Sequence, residues 1–292
     1  MATTTRQPGA VAEPSGQADD APLLEAAQHG DREAISSLLA RHQAQIYRFG
    51  LKLCRHPDDA KDVLQETMLS AARNLPGFRG QASLSTWLYT IARSFCAKRR
   101  RRSKFAPEAE LSLEHPALAA EQLPDHVTLE PEAALAAKQR ARALRDAVDT
   151  LSPAYKDVLV LRDMEGLTAN EVAEVLGVRV EAVKSRLHRA RKAVRERLMA
   201  SVGPPDRAAD GCPDIVGMWS GQLEGEISAA DCARMQQHLE QCNRCTHACD
   251  SLKGTLLMCR AAEGNTAVPL EVQKAVQAAV HDLLRNRGAH AD

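Results

Sequence analysis

Cysteine and histidine residues gather towards the C-terminal end of the sequence at spacings that suit a metal ion. Four of them are Cys212, His238, Cys242 and Cys245, with three residues between the histidine and the next cysteine and two between the last pair. Thiolate and imidazole ligands at such short spacing typically hold one tetrahedral zinc ion. The alternative is an apolar face, because positions 238, 242, 245 and 249 would align on one continuous helix. One histidine and three cysteines are an unusual core, so the pattern predicts a closed Cys3His structural zinc site.

Three further cysteines, Cys232, Cys249 and Cys259, are additional candidate ligands and leave the identity of the fourth zinc ligand open. Six of the eight cysteines follow residue 210. In a reducing compartment such clustering favours metal or redox chemistry over structural disulfides. Surplus thiolates could bind a second, sensed ion such as copper, cadmium or zinc, or could oxidise to a disulfide that expels zinc.

The segment 179–197 carries a second kind of chemistry, because it contains eight Lys or Arg residues against two Glu. Upstream, Thr168 and Glu171 have the spacing of a capping box, and Gly177 is placed to end that helix. An apolar stripe then recurs at steps of four, three and four, at Val183, Leu187, Ala190 and Val194. The neighbouring polar face contains Lys184, His188, Arg191 and Arg195. This pattern predicts a helix-turn-helix that binds DNA, with a solvated basic helix as the alternative.

Two charged segments precede this one. Residues 58–73 predict a helix with an apolar inner face and an acidic outer face, which by itself fits simple solvation. A later helix ends in five consecutive cations, Lys98, Arg99, Arg100, Arg101 and Arg102. Like charges on one helix repel, so this run suits neutralisation of phosphates better than it suits folding. Trp87 and Tyr89 offer ring faces on which bases could stack, although Trp87 fits a core position better.

The composition predicts an all-α protein, because Ala, Leu, Glu and Arg abound and aromatic residues make up only 3% of the chain. The 38 basic and 38 acidic residues cancel, so any affinity for nucleic acid must be local. No apolar run approaches the roughly 20 residues that cross a bilayer, and the N-terminus lacks the apolar stretch of a secretory signal. We therefore expect a cytoplasmic protein with no membrane partner.

Three motifs, in this order and spacing, resemble the extracytoplasmic-function group (group 4) of the bacterial sigma-70 family. They are DDAKDVLQETML, STWLYTIAR, and EVAEVLGV followed by VKSRLHRAR. The resemblance covers about residues 22–103 and 141–199. It implies a region 2 helical bundle and a region 4 helix-turn-helix that have no catalysis of their own. By the same resemblance, they would deliver promoter recognition and melting to core RNA polymerase.

The resemblance also implies roles for individual residues. The polymerase clamp helices would dock on Asp59, Asp62, Gln65 and Glu66. The helix ending at Arg102 would open the minus-ten element and bind its melted non-template strand, and residues 181–197 would read the double-stranded minus-thirty-five element. The DNA-binding residues would be Arg93, Ser94, Lys98, Arg99, Arg100, Arg101, Arg102, Arg179, Glu181, Lys184, Ser185, Arg186, His188, Arg189 and Arg191.

Two positions depart from the family pattern. Ser94 stands where the family often has Asn, so an amide donor is replaced by a shorter hydroxyl. The second DNA helix begins with Arg179, Val180, Glu181 and Ala182 where the family often has Ser or Pro and then Gly-Thr. A hydroxyl near the bases is lost and a cation is added, so the promoter sequence does not follow from the resemblance.

The spacing of Cys212, His238, Cys242 and Cys245 resembles the zinc-binding anti-sigma domain family over about residues 210–262. Such domains occlude the polymerase-binding faces of sigma factors, and here one is fused to its own target. We therefore expect intramolecular contact with the sigma domains and regulation by metal or thiol chemistry. The alternative is a constitutive zinc module that only stabilises or docks. Residues 269–285 predict a last amphipathic helix that packs on the sigma modules.

Two other functions compete with the sigma factor interpretation. A metal-responsive helix-turn-helix repressor or activator would act without replacing a sigma factor, but it would not need the segment 58–102. A zinc enzyme such as a nucleic-acid deaminase needs a Glu one residue from its histidine ligand and a PCxxC pair. Here Leu239 follows His238 and Gln241 precedes Cys242, so we expect no enzyme.

The expected domain organisation has seven parts. Two are the sigma modules, region 2 at 21–103 and region 4 at 141–199. The others are a disordered tail at 1–20, an acidic and proline-rich extended linker at 104–140, a linker at 200–211, a zinc-binding domain at 212–262 and an amphipathic helix at 263–292.

Overall fold

The computed structural model describes residues 17–54, 56–105, 131–199, 212–261 and 267–288. Within these ranges the chain is all-α, as predicted, with twelve α-helices and no strand. None of these helices combines the length and apolar character needed to cross a bilayer. Residues 1–16, residues 106–130 of the predicted acidic linker and the predicted linker 200–211 lie outside the described residues.

Twelve α-helices are described, numbered here in chain order. Their bounds are α1 Gln17–Gln28, α2 Arg32–Leu53, α3 Pro57–Asn74, α4 Leu84–Phe105, α5 Pro131–Asp149, α6 Pro153–Leu159, α7 Ala169–Leu176, α8 Val180–Met199, α9 Ile215–Leu223, α10 Ala229–Gln241, α11 Asn243–Ala261 and α12 Leu270–Gly288. A 3-10 turn follows α3 at Leu75–Gly77, and a π-helical turn follows α6 at Val160–Met164. The chain divides into two compact units, one with α1–α4 and α12, the other with α5, α6 and α8–α11.

In the first unit, α2, α3 and α4 pack together around an apolar core. The Asp31 carboxylate caps α2 by accepting backbone N–H bonds, and Pro57 occupies the first turn of α3, where no N–H donor is needed. Tyr89 of α4 is buried edge-on against Phe49 of α2, with ring centroids 4.9 Å apart. Tyr89 is therefore a core residue, and the expectation that it offers a face to bases is wrong.

The last helix, α12, packs on α2 and α3 of the same unit. Its buried side is an apolar stripe formed by Val272, Val276, Val280 and Leu284. Steps of four residues place these side chains on one face of a helix. The predicted amphipathic helix is confirmed, and its partner within this unit is the bundle that contains the region 2 motifs.

In the second unit, the helix-turn-helix forms as its sequence predicts. The Thr168 hydroxyl accepts a bond from the Glu171 backbone N–H, and the Glu171 carboxylate accepts one from the Thr168 N–H, which is a reciprocal capping box. Gly177 has φ +63°, a left-handed conformation that ends α7 and favours glycine. The predicted apolar stripe of α8 is fully buried at Val183, Leu187, Ala190 and Val194.

The cysteine-rich module consists of α9, α10 and α11, with a small core that includes Ile215, Met235 and Leu252. Both α9 and α11 pack on α8, and α11 also contacts α5 and the π-helical turn. Positions 238, 242, 245 and 249 do not align on one continuous helix as the apolar-face alternative required, because α10 ends at Gln241 and Cys242 caps it in an extended conformation. α5 begins at Pro131, so the last ten residues of the predicted linker, 131–140, are helical.

Candidate zinc centre and nucleic-acid interface

The break between α10 and α11 positions the four predicted zinc ligands. His238 lies in the last turn of α10, Cys242 at the junction, Cys245 in the first turns of α11, and Cys212 just before α9. One ligand atom from each of these residues lies within 4.8 Å of all the others. A continuous helix could not fold the Cys242 and His238 side chains around the same point as Cys245, so the break is what builds the site.

The distances and donor types of this group fit a zinc ion. His238 Nε2 lies 3.2 Å from Cys245 Sγ, and Cys212 Sγ lies 4.0 Å from Cys242 Sγ. Zinc bonds of about 2.3 Å to sulfur and about 2.0 Å to nitrogen separate tetrahedral ligand atoms by roughly 3.5–3.8 Å. The backbone N–H of Cys245 lowers the pKa of the Cys242 thiol, which favours the thiolate that binds metal. Burial raises the pKa of Cys245 to about 12, a penalty that a divalent cation would offset.

The three further candidate ligands lie elsewhere. Cys249 and Cys259 are buried on α11, and burial raises the pKa of the Cys249 thiol. Cys232 is half-buried on α10 and does not belong to the ligand group. Over the described residues, the four-residue group is the one cluster of three or more Cys, His, Asp or Glu residues that could hold a metal. The expectation of a second, sensed metal ion therefore gains no support.

The cysteine-rich module covers one face of α8. Lys184 Nζ pairs with Glu226 at 3.1 Å, and His188 Nε2 lies 3.9 Å from Asp214. Two turns after His188, Arg195 Nε donates to the hydroxyl of Ser251 on α11 at 2.6 Å. This is the polar face that the sequence predicts to bind DNA, and in this structure it binds acidic and hydroxyl groups of the same chain.

Arg191 lies at the centre of the covered face and is only 1% exposed. Its Nε and Nη2 donate to both carboxylate oxygens of Asp163 at 2.8 and 2.7 Å. Nη2 also donates to Glu224 at 2.7 Å and Nη1 to the Ser220 hydroxyl at 2.9 Å. Burial alone would lower the pKa of Arg191, but Asp163 and Glu224 outweigh that effect and raise it. Arg191 was predicted to contact DNA, and in this structure it is not accessible to a phosphate.

Glu224 joins two arginines of the helix-turn-helix. Besides Arg191, it accepts a bond at 3.1 Å from Nε of Arg162, which also donates to the Leu167 carbonyl. The Glu224 side chain is 3% exposed. Sequence reasoning missed Asp163, Arg162 and Glu224, because each is an ordinary charged residue far from Arg191 along the chain.

The rest of the basic helix remains accessible. Arg179, Glu181, Ser185 and Arg189 are exposed, and Arg186 is half-buried. The Arg189 guanidinium lies 3.4 Å from the Tyr155 hydroxyl, a weak contact that phosphate could replace. The predicted DNA-binding residues of α8 thus fall into a covered set and an open set.

On α4 the predicted DNA-binding cations also fall into two sets. Lys98 and Arg101 are exposed, and Arg93 and Arg100 are half-buried. Ser94 is exposed, and its hydroxyl donates to the carbonyl of Ile91 at 2.7 Å. The side chain of Arg102 lies outside the described residues.

Arg99 forms ion pairs with two of the four predicted polymerase-docking residues. It donates to Asp59 at 2.9 Å and to Asp62 at 2.6 Å. Burial alone would lower its pKa, but the two carboxylates raise it above the ordinary value. Gln65 and Glu66, the other two, are exposed on α3. The sequence placed these groups in two separate sites, and the structure joins them through one ion-pair cluster.

This arrangement predicts that substitutions of Arg99 and Arg101 change the salt dependence of DNA binding by different amounts. Arg101→Ala should reduce the slope of log affinity against log salt for DNA by about one, because each phosphate contact contributes roughly 0.7–0.9 to that slope. Arg99→Ala should change the slope by less than half of that, because its guanidinium is already neutralised by Asp59 and Asp62. A salt titration of promoter-fork binding by each variant with core polymerase measures both. Equal slopes for the two variants would show that the ion pairs do not hold Arg99 away from DNA.

The fold and the two sites together define an all-α DNA-binding protein with a fused zinc-finger module. Residues 38–105 match the family Sigma-70 region 2, residues 141–194 match Sigma-70 region 4, and residues 212–246 match a zinc-finger family. The chain is 37% identical to the ECF RNA polymerase sigma factor SigM of Mycobacterium tuberculosis (strain ATCC 25618 / H37Rv) over 59% of this chain and 81% of SigM. It is 31% identical to the RNA polymerase sigma factor YlaC of Bacillus subtilis (strain 168) over 58% of this chain and 95% of YlaC.

The chain belongs to the extracytoplasmic-function (ECF) sigma factors, the sigma-70 family subunits that direct RNA polymerase to promoters. The repressor or activator alternative is not favoured, because the match includes region 2 as well as the helix-turn-helix. A solved structure of CnrH in complex with the cytosolic domain of CnrY is 24% identical, with a TM-score of 0.46, over 62% of this chain and 97% of that chain.

Proposed function

We propose that this sigma factor is held inactive in the cytoplasm by its own zinc-binding module, which keeps the helix α8 from promoter DNA until it is displaced. The observation that carries the proposal is the burial of Arg191 against Glu224 and Ser220 of α9 and its following turn. Core RNA polymerase and double-stranded and melted promoter DNA are the proposed partners. The same residues that would neutralise phosphates are neutralised within the chain.

The module presents acidic groups in register with the polar side chains on the covered face of α8. Glu226, Asp214 and Glu224 lie opposite positions 184, 188 and 191, which follow one another at steps of one helical turn. Protein–DNA affinity rests largely on cations that replace counterions at phosphates. Carboxylates that already pair with these cations therefore compete directly with DNA for one face of the helix.

The close approach of α9 to α8 leaves no space for DNA on the covered face. A Cβ atom at Gly217 would lie 3.1 Å from Cε1 of His188 on α8, which is tighter than an ordinary van der Waals contact. It would also lie 2.4 Å from an oxygen of Asp214, the N-cap residue of α9 itself, so only glycine fits there without displacement. A recognition helix must enter a major groove about 12 Å wide. The covered face of α8 can read that groove only after α9 has moved away.

The proposed inhibition acts on DNA reading rather than on polymerase docking. Gln65 and Glu66 are exposed, and Asp62 keeps half of its side chain accessible. If the clamp helices dock on these residues as the family resemblance implies, the covered form retains an accessible polymerase surface. Loss of zinc, by metal exchange or by thiol oxidation, is the proposed route to release, because the module that carries Glu224 is built around the zinc ligands.

A substitution that separates α9 from α8 without changing any charge tests this proposal. Gly217→Leu places a side chain between α9 and α8 without altering any residue of the DNA helix, and overpacking of this kind typically costs about 1–3 kcal/mol. We expect runoff transcription with core polymerase to increase by about 5- to 100-fold at a promoter selected from a library. Gly221→Ala is the control on the same helix, because a Cβ there meets nothing within 4 Å.

The control variant should transcribe within about twofold of the unmodified chain, because the added methyl group contacts nothing in α8. Equal transcription by the two glycine variants and the unmodified chain would contradict inhibition by α9. Promoter-specific transcripts from none of the three would contradict the sigma factor activity itself.

A further inference from the structure

Two cysteines outside the zinc-binding module face each other in the core of the first unit. Cys54 caps the C-terminal end of α2, Cys96 lies in the middle of α4, and their Sγ atoms are 3.3 Å apart. Cys54 is 8% exposed and Cys96 is 0% exposed. They are separated by 42 residues in the sequence, so the fold alone brings the two thiols together.

The surrounding packing holds this pair in place. The Cys54 backbone N–H donates to the Gly50 carbonyl at 2.8 Å, which fixes the end of α2. The edge-on contact between Phe49 and Tyr89 joins the same two helices one to two turns away. A disulfide needs the two sulfurs at about 2.05 Å, so the remaining closure of roughly 1.3 Å lies within a small side-chain adjustment.

We propose that Cys54 and Cys96 form a redox site that closes to a reversible disulfide when the protein meets a hydroperoxide. The Cys54 thiolate attacks one oxygen of the peroxide, the O–O bond breaks, and hydroxide leaves as water after protonation. The Cys96 thiol then gives up its proton as its sulfur attacks the Cys54 sulfenic sulfur, and the S–O bond breaks to release a second water. Two thiols and one hydrogen peroxide thus become one disulfide and two waters.

The first attack falls on Cys54 because it is the more exposed sulfur. Its position at the C-terminal end of α2 places it near the negative end of the helix dipole, which disfavours the thiolate. The disulfide would tie α2 to α4 two residues before Lys98, where the predicted DNA-binding run begins. This site is independent of the zinc centre and of the proposed inhibition of α8.

Peptide mapping of the full chain tests the proposal. After hydrogen peroxide treatment, unreacted thiols are alkylated in denaturant and the chain is cut with trypsin, which releases Cys54 in residues 53–55 and Cys96 in residues 94–98. We expect a linked species of these two peptides that is two hydrogens lighter than their sum and that dithiothreitol removes. Cys54→Ala and Cys96→Ala, which keep a small apolar side chain, should each abolish it.

Thermal unfolding gives a second readout. A crosslink across 42 residues should raise the unfolding midpoint of the oxidised chain by at least about 5 °C relative to the oxidised Cys96→Ala variant. The zinc-binding thiols serve as the internal control for the oxidant. If peroxide has released zinc and the two peptides are still recovered only in alkylated form, the redox site is disproved. A linked species between either peptide and a zinc-binding cysteine, in place of the expected one, would disprove it as well.

Discussion

Replacing Glu224 by Gln is expected to raise the affinity of the full-length chain for promoter DNA by about 10- to 100-fold. Glu224 accepts bonds from both Arg191 and Arg162 at 2.7 and 3.1 Å. Hydrogen bonds to charged groups contribute roughly 1.5–3 kcal/mol when buried. The substitution keeps the shape of the side chain but leaves two buried cations with one carboxylate, Asp163, between them, so separation of α9 from α8 becomes easier.

The same substitution at Glu226 is the matched control. Glu226 pairs with Lys184 at 3.1 Å, but its side chain is 44% exposed. Exposed ion pairs contribute about 0–1 kcal/mol, so Glu226→Gln should raise DNA affinity by no more than about fivefold. The affinities of the unmodified chain and of the two variants are measured by fluorescence anisotropy of a labelled promoter duplex, with core polymerase present and at one salt concentration. Equal affinities for the two variants would show that the buried arginine pair does not hold the module closed.

The gain should come from opening of the module rather than from loss of an acidic charge near DNA. When only an open fraction of a protein binds, the apparent affinity scales with that fraction. Glu224→Gln and Glu226→Gln each remove one negative charge, so long-range electrostatics changes equally in both. A difference between them therefore reports on the buried contacts of Arg191 and Arg162.

The apolar pattern of α8 predicted its buried stripe correctly, but the partner of its polar face could not be inferred in the same way. A cation face has the same sequence whether it meets phosphates or carboxylates. Arg191 meets Asp163 and Glu224, which lie 28 and 33 residues away, and no local spacing connects them. The choice between the two partners is made by tertiary packing, which local sequence patterns do not report.

For the zinc site, too, the sequence predicted the chemistry of the residues but not the fold around them. Residue types and spacing predicted Cys212, His238, Cys242 and Cys245, because ligand chemistry is carried by the side chains themselves. The helix boundary at Cys242 was missed, because neither glycine nor proline marks it. Three of the four donors are within eight residues of one another, and that spacing predicted the site independently of the helix assignment.

Loss of zinc is expected to raise the affinity for promoter DNA more than any single substitution in the contact between α9 and α8. Without zinc the module should unfold and leave the covered face of α8 accessible. The module spans only about 50 described residues, and domains of this size bury too little apolar surface to be stable alone. Structural zinc in small domains contributes about 10–16 kcal/mol to folding. The four ligands join the segment before α9, the end of α10 and the start of α11, so each helix loses an anchor without the ion.

Cys245→Ser should therefore reduce bound zinc from about one equivalent to nearly none, lower the helical circular dichroism signal, and increase promoter binding at least as much as Glu224→Gln. Cys232→Ser is the control, because Cys232 lies on α10 outside the ligand group. This variant should therefore still bind about one equivalent of zinc. Metal content is measured by atomic emission and binding by the same anisotropy assay. Zinc loss without a gain in DNA binding would mean that the remaining contacts of Glu224 and Ser220 with Arg191 hold α9 on α8 without the metal. The module would then cover α8 independently of zinc, and loss of zinc would not be the route to release.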